Sequence, residues 1–199
     1  LNIIIVTIAK TLNNSKFKQF LLIYLNNSFL KFSSNDNSFL SSFNSLLNVN
    51  YIISFSVYIS LLISYNLHGF NNNFEISIFF TTLLFIVAFI YTKYLIEILI
   101  GWAFNIRKFV VSFNLQKNSF NKLIGIIMIL LNSLAIYSFP NSVTFTKISI
   151  FLVISLYLVG LYKVIRLNDN LILSNMFYFI LYLCTLEIVP ILFFINELI

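Results

Sequence analysis

Ile76-Ser77-Ile78-Phe79-Phe80-Thr81-Thr82-Leu83-Leu84-Phe85-Ile86-Val87-Ala88-Phe89-Ile90-Tyr91-Thr92 runs without a charged residue. The apolar pattern continues through Tyr94-Leu95-Ile96-Glu97-Ile98-Leu99-Ile100-Gly101-Trp102, interrupted only by Lys93 and Glu97. At a rise of about 1.5 Å per residue, one helix over this stretch outruns a single crossing of a hydrocarbon core about 30 Å thick. The crossing itself is placed at 76–96. Beyond it the helix protrudes, or bends near Lys93 and lies along the interface, a level that suits Trp102.

The rest of the chain has the same character. Of its 199 residues 60% are hydrophobic and 9% charged, where soluble domains carry about a quarter charged residues. Mean hydropathy is +0.96. So few charges cannot cover a water-facing surface of ordinary polarity, so the partner of this surface is the lipid bilayer. The fold class is all-α: a polytopic transmembrane bundle forming a single integral domain over 1–199. Further spans read at about 51–67, 123–138, 147–162 and 174–195. That makes five complete spans. The opening run Leu1–Ala9 is apolar but too short to cross, and no basic segment precedes it as in a signal peptide. It reads as a truncated first span.

Between the first and second spans, Phe17, Phe20, Leu21, Tyr24 and Leu25 recur at helical spacing among Lys10, Lys16, Lys18 and Lys31. This predicts an interfacial amphipathic helix over 16–32, basic side toward headgroups. Ser33–Asn50 is rich in Ser and Asn and reads as a loop. No internal repeat supports an inverted-repeat transporter.

The twelve basic residues are distributed by loop. Lys10–Asn50 holds four, Lys93–Lys122 five and Lys163–Leu173 two, while His68–Glu75 and Phe139–Thr146 hold none. Under the positive-inside rule the three basic regions are cytoplasmic and the C-terminus is periplasmic. Lys147 is the exception, at the outer end of span five. The net charge of +6 therefore reads as topology, not as a nucleic-acid footprint.

The segment Tyr182-Leu183-Cys184-Thr185-Leu186-Glu187-Ile188-Val189-Pro190 stands in the last span. Lys18-Gln19 and Asn26-Asn27-Ser28-Phe29 stand near the start, and Lys93-Tyr94-Leu95-Ile96 and Ile100-Gly101-Trp102 in the middle. In this order and spacing the chain resembles an uncharacterised Bacteroidota inner-membrane family, domain of unknown function 4271. The resemblance covers nearly the whole chain and implies a multi-pass protein of the bacterial inner membrane. It implies no activity.

Charged and polar groups inside a membrane are costly and have a partner or a task. Glu187, just before Pro190, is the leading candidate. It reads first as a structural carboxyl held by a neighbouring helix, with Lys147 as the expected partner, and second as a group that moves protons or solute. Tyr182 and Thr185 lie on a hydroxyl-bearing stripe of the same span. Pro190 frees a backbone carbonyl one turn earlier. Lys93, Glu97 and Gly101 fall four apart on one face, which reads as a local ion pair beside a close helix contact.

Catalytic and metal chemistry find little support. His68 is the only histidine and Cys184 the only cysteine, and there are four glycines. No cofactor-binding or metal-ligating set is predicted. Asp36 and Asp169 both fall in loops, which argues against a two-aspartate intramembrane protease. The leading expectation is a non-enzymatic scaffold, assembly factor or subunit of an envelope complex, with other membrane proteins as partners. The alternative is a small proton-coupled transporter or channel using Glu187, with a path lined by Tyr182, Thr185 or Asn132. A weaker third option is a lipid-modifying enzyme around Glu97 and Arg107.

Overall fold

The computed structural model describes residues 2–24, 42–68, 76–103, 107–138 and 142–168. They form six α-helices: α1 Asn2–Leu12, α2 Asn14–Leu21, α3 Ser42–His68, α4 Ile76–Ala103, α5 Arg107–Tyr137 and α6 Val143–Leu167. Four of them, α3 to α6, contain stretches long and apolar enough to cross a membrane. The expected sixth span at 174–195 lies outside the described residues, and with it Tyr182, Thr185, Glu187 and Pro190.

Local chemistry explains where two helices start. Asn13 accepts the Lys16 amide through its side chain at 3.2 Å and so caps α2. Ser142 does the same for α6, accepting the Phe145 amide at 3.3 Å. Each cap satisfies one of the amides that a helix start leaves without an internal partner.

Two helices begin earlier than the hydropathy implies. α3 starts at Ser42 rather than Tyr51, and α5 at Arg107 rather than Leu123. The Ser- and Asn-rich residues before Tyr51 look like a loop by composition. Yet Phe43, Leu47, Asn50 and Ser54 recur at helical spacing and are all buried. In the basic segment expected to be a loop, Val110, Phe113, Lys117 and Phe120 recur similarly and are buried. Packing along one face outweighs weak local propensity in both cases.

Side-chain pairs give the direction of each helix. Asn44 meets Lys122, Tyr51 meets Gly125, and Ser54 meets Asn132, so α3 and α5 run parallel. Glu97 meets Lys117, and Gly101 meets Val110, so α4 and α5 form an antiparallel hairpin. Phe120 lies against Gly160 and Gln116 against Asn168, so α6 returns antiparallel to α5. Asn2 reaches Ser54, whereas Ala9 lies in the cluster containing Phe43 and Leu47. α1 is therefore antiparallel to α3.

α3 is the central helix: none of residues 50–64 is exposed. α4 is peripheral, with Phe80, Leu84, Tyr91, Leu95, Leu99 and Trp102 on its exposed side. Such an apolar outer surface is compatible with contact to a lipid bilayer.

α2 does not turn its aromatic side outward. Phe17, Phe20 and Ile23 are buried in one cluster with Phe43, Leu47, Phe113, Phe120 and Val164. Phe20 meets Phe43 edge-on, with centroids 6.3 Å apart. Just beyond α2, the Tyr24 hydroxyl donates to the Leu156 carbonyl of α6 at 3.0 Å. Burial pushes that phenol up to about 12. The expected interfacial helix over 16–32 is thus helical at 16–21 and docked on the bundle; residues 25–32 lie outside the described part.

The helix directions bring the basic residues to one end. Lys10, Lys16, Lys18, Arg107, Lys163 and Arg166 all stand where α1, α4 and α6 finish and α3 and α5 begin. Lys147, exposed, is at the opposite end.

Candidate functional site

The chemistry-bearing side chains of the described residues fall in two zones along α3 and α5. The first lies in the half of the bundle near the basic end. There the Lys117 ammonium donates to Glu97 Oε1 at 2.9 Å across the α4–α5 hairpin. Both residues are buried, at 8% and 3% exposure. Gly101 makes this pairing feasible by letting the hairpin close. A Cβ there would already lie 3.3 Å from Arg107 Cα and from Val110 Cβ. Glu97 is thus tied to the next helix by Lys117; Lys93, the partner expected from the sequence, stands one turn earlier on the same helix.

One to two turns further along α5, the buried Lys122 ammonium donates to Asn44 Oδ1 of α3 at 3.1 Å. Asn168, at the end of α6, donates to Gln116 Oε1 of α5 at 2.7 Å and to its own helix at Val164 O at 2.8 Å. Lys163 donates to the Tyr24 carbonyl. Every one of these bonds joins two helices or seals a helix end. In a medium of low dielectric, such pairs are costly to separate, because each leaves a charge or dipole unmatched.

The second zone is uncharged and lies midway along α3. Asn132 Nδ2 of α5 donates to the Ser54 carbonyl at 2.9 Å. Asn2 Nδ2 of α1 donates to Ser54 Oγ at 3.0 Å. Asn50, one turn before Ser54, is fully buried. Neither of its amide atoms has a hydrogen-bond partner among the described residues, nor do Asn2 Oδ1 and Asn132 Oδ1. Beyond this zone, the Tyr58 hydroxyl and Ser149 Oγ share a hydrogen bond of 2.8 Å between α3 and α6.

The sequence-predicted residues divide accordingly. Glu97 and Lys93 lie on α4, and Glu97 is drawn into the charged zone. Asn132 is drawn into the uncharged one. Lys147 stands exposed on α6 near Ser149, and its expected partner Glu187 is outside the described residues. Lys117, Lys122, Asn44 and Asn50 were not singled out by sequence, since 33–50 and 105–122 read as loops, and Ser54 is one of several serines in the span expected at about 51–67. The helical recurrence of Val110, Phe113, Lys117 and Phe120 was the signal that could have found Lys117.

Chemically, the charged zone holds one carboxylate against a lysine and a second lysine against an amide. Among the described residues no group of three or more His, Cys, Asp or Glu is arranged to hold a metal ion.

A family model described as Domain of unknown function (DUF4271) matches residues 1–198. No curated protein and no solved structure matches the chain.

Proposed function

The chain belongs to the DUF4271 family, a domain of unknown function, and from that premise we propose that it is a non-enzymatic multi-pass component of the inner membrane. Its role in this reading is that of a scaffold, assembly factor or subunit of an envelope complex. The observation that carries the reading is the use made of the buried polar groups. Glu97, Lys117, Lys122, Asn44, Gln116 and Asn168 are engaged with one another across helix boundaries. Groups bound this way fix helix positions, and their side chains are not presented to a substrate. The orientation places the basic end in the cytoplasm, with the C-terminus periplasmic.

Two experiments test this. The first is crosslinking in the native membrane followed by extraction in mild detergent. Reproducible recovery of a defined membrane partner supports the reading, and a lone monomer under all conditions overturns it. The second is labelling of single cysteines placed at Asn72 or Asn141 with a membrane-impermeant reagent. Both should label only from the periplasmic side; cytoplasmic labelling would reverse the orientation.

A second reading, a small proton-coupled transporter using Glu187, draws support from Asn132, a buried amide with an unengaged oxygen among the described residues. It requires proton-dependent solute uptake in proteoliposomes that Glu187→Gln abolishes. Uptake insensitive to that substitution removes it.

A further inference from the structure

The centre of the bundle offers more hydrogen-bonding capacity than its described side chains use. The Ser54 carbonyl can only accept, so Asn132 must present its nitrogen there at 2.9 Å and turn its oxygen elsewhere. Asn2 likewise gives its nitrogen to Ser54 Oγ at 3.0 Å. Asn50 lies one turn away on the same face of α3. The result is three amide oxygens and one amide nitrogen, all buried and without a partner among the described residues.

The chemistry of this set selects its occupant. The unengaged groups are predominantly acceptors, which calls for a donor. A cation would satisfy them, but the described residues of this zone include no acid to balance its charge at mid-depth. Water supplies two donors and two acceptors in a small volume. Two waters supply four donors. Three go to Asn2 Oδ1, Asn50 Oδ1 and Asn132 Oδ1, and the fourth joins the waters. Asn50 Nδ2 donates back to one of them. Each water then makes about three bonds, the usual number for a buried water.

We propose that Asn2, Asn50 and Asn132 hold a pair of water molecules around Ser54 at the centre of the bundle, joining α1, α3 and α5. The site is independent of whether the protein acts as a scaffold or a transporter. It makes α1 a helix attached partly through exchangeable water.

The test is water-edited solid-state NMR on the full chain in lipid bilayers, with ¹⁵N-labelled asparagine and ¹³C-methyl-labelled leucine and methionine. The Asn50 side-chain resonance is assigned by its loss in Asn50→Gln. Polarisation should pass from water protons to the Asn50 side-chain amide at mixing times that leave the Leu47 and Met128 methyls silent. Asn132→Leu, read on the native Asn50, should reduce that transfer at least twofold. Absence of transfer overturns the proposal, as does transfer to Asn50 that Asn132→Leu leaves unchanged. So does through-space contact from the Asn50 amide to a side chain of 25–41 or 169–199 in place of water. A shift of the thermal midpoint on exchanging sodium or potassium chloride for choline chloride would identify a cation as occupant and overturn it equally.

Discussion

Replacing Gly125 with alanine drives a methyl group into the backbone of the central helix. A Cβ at this position would lie 2.7 Å from Tyr51 Cα and 3.0 Å from Tyr51 Cβ. Carbon atoms in contact normally sit about 3.5–4.0 Å apart, so α3 and α5 would have to part by roughly 1 Å here. No rotamer change relieves a clash with Cα. Overpacking of this kind costs about 1–3 kcal/mol. Alanine recovers up to about 1 kcal/mol through its better helix propensity, a figure measured in water. With that recovery taken in full, the expected net loss is up to about 2 kcal/mol. It should be larger if the separation also loosens the Lys122–Asn44 and Asn132–Ser54 bonds on either side. Gly160 and Gly101 are internal controls. At Gly160 the nearest atoms to the added Cβ belong to the Phe120 side chain, 3.1–3.2 Å away, and none of the three is backbone. At Gly101 the contacts are 3.3 Å. Reversible unfolding of the three alanine variants in mixed micelles should rank Gly125→Ala as the least stable. Gly125→Ala at or above wild-type stability, or less harmful than Gly160→Ala, would refute the reasoning that close backbone approach sets the α3–α5 contact.

Glu97→Gln or Lys117→Met alone should each destabilise, by up to roughly 3–5 kcal/mol, because each removes one partner of a buried ion pair. The double variant should recover much of that loss, and additive effects in the cycle would show that the pair is not coupled. Tyr24→Phe should lose about 1 kcal/mol for the hydrogen bond to Leu156. The wild-type phenol is pushed up from 10.0 to about 12. That raised value gives the sign of its pH effect. The Tyr24 contribution is fully present below pH 10 and declines as pH rises through about 12, so alkaline unfolding should be less steep in Tyr24→Phe. Glu187→Ala should destabilise the fold and Lys147→Met in the same chain should restore part of the loss; a coupling near zero in the double-mutant cycle would dismiss that pairing.

Much of the architecture is legible in the sequence because long apolar runs impose it. A chain without water-facing polarity must satisfy its backbone internally, so the apolar run from Ile76 reads as a helix without knowledge of its neighbours. The spacing of Lys and Arg foretells their gathering at one end, since the alternating direction of α3 to α6 puts every second connection on the same side. The resemblance carried by Tyr182–Pro190 and the Lys93–Trp102 region identifies the family, which the match over residues 1–198 shows.

The helix starts and the partners of the polar groups were settled only by tertiary structure. Ser42–Asn50 and Arg107–Lys122 are weakly apolar, and nothing local holds them helical. They are helical because Phe43, Leu47, Phe113 and Phe120 share one core with Ala9 and Val164 from distant parts of the chain. Glu97 has Lys93 four residues away on its own helix. It also has Lys117, twenty residues on, brought near because Gly101 lets the hairpin close. Spacing along one helix cannot reveal that second choice. Asn50 is the extreme case: in sequence it is one asparagine among many in an Asn-rich chain. Its full burial follows from α3 being encircled, a property of how the other helices pack and of no residue near it.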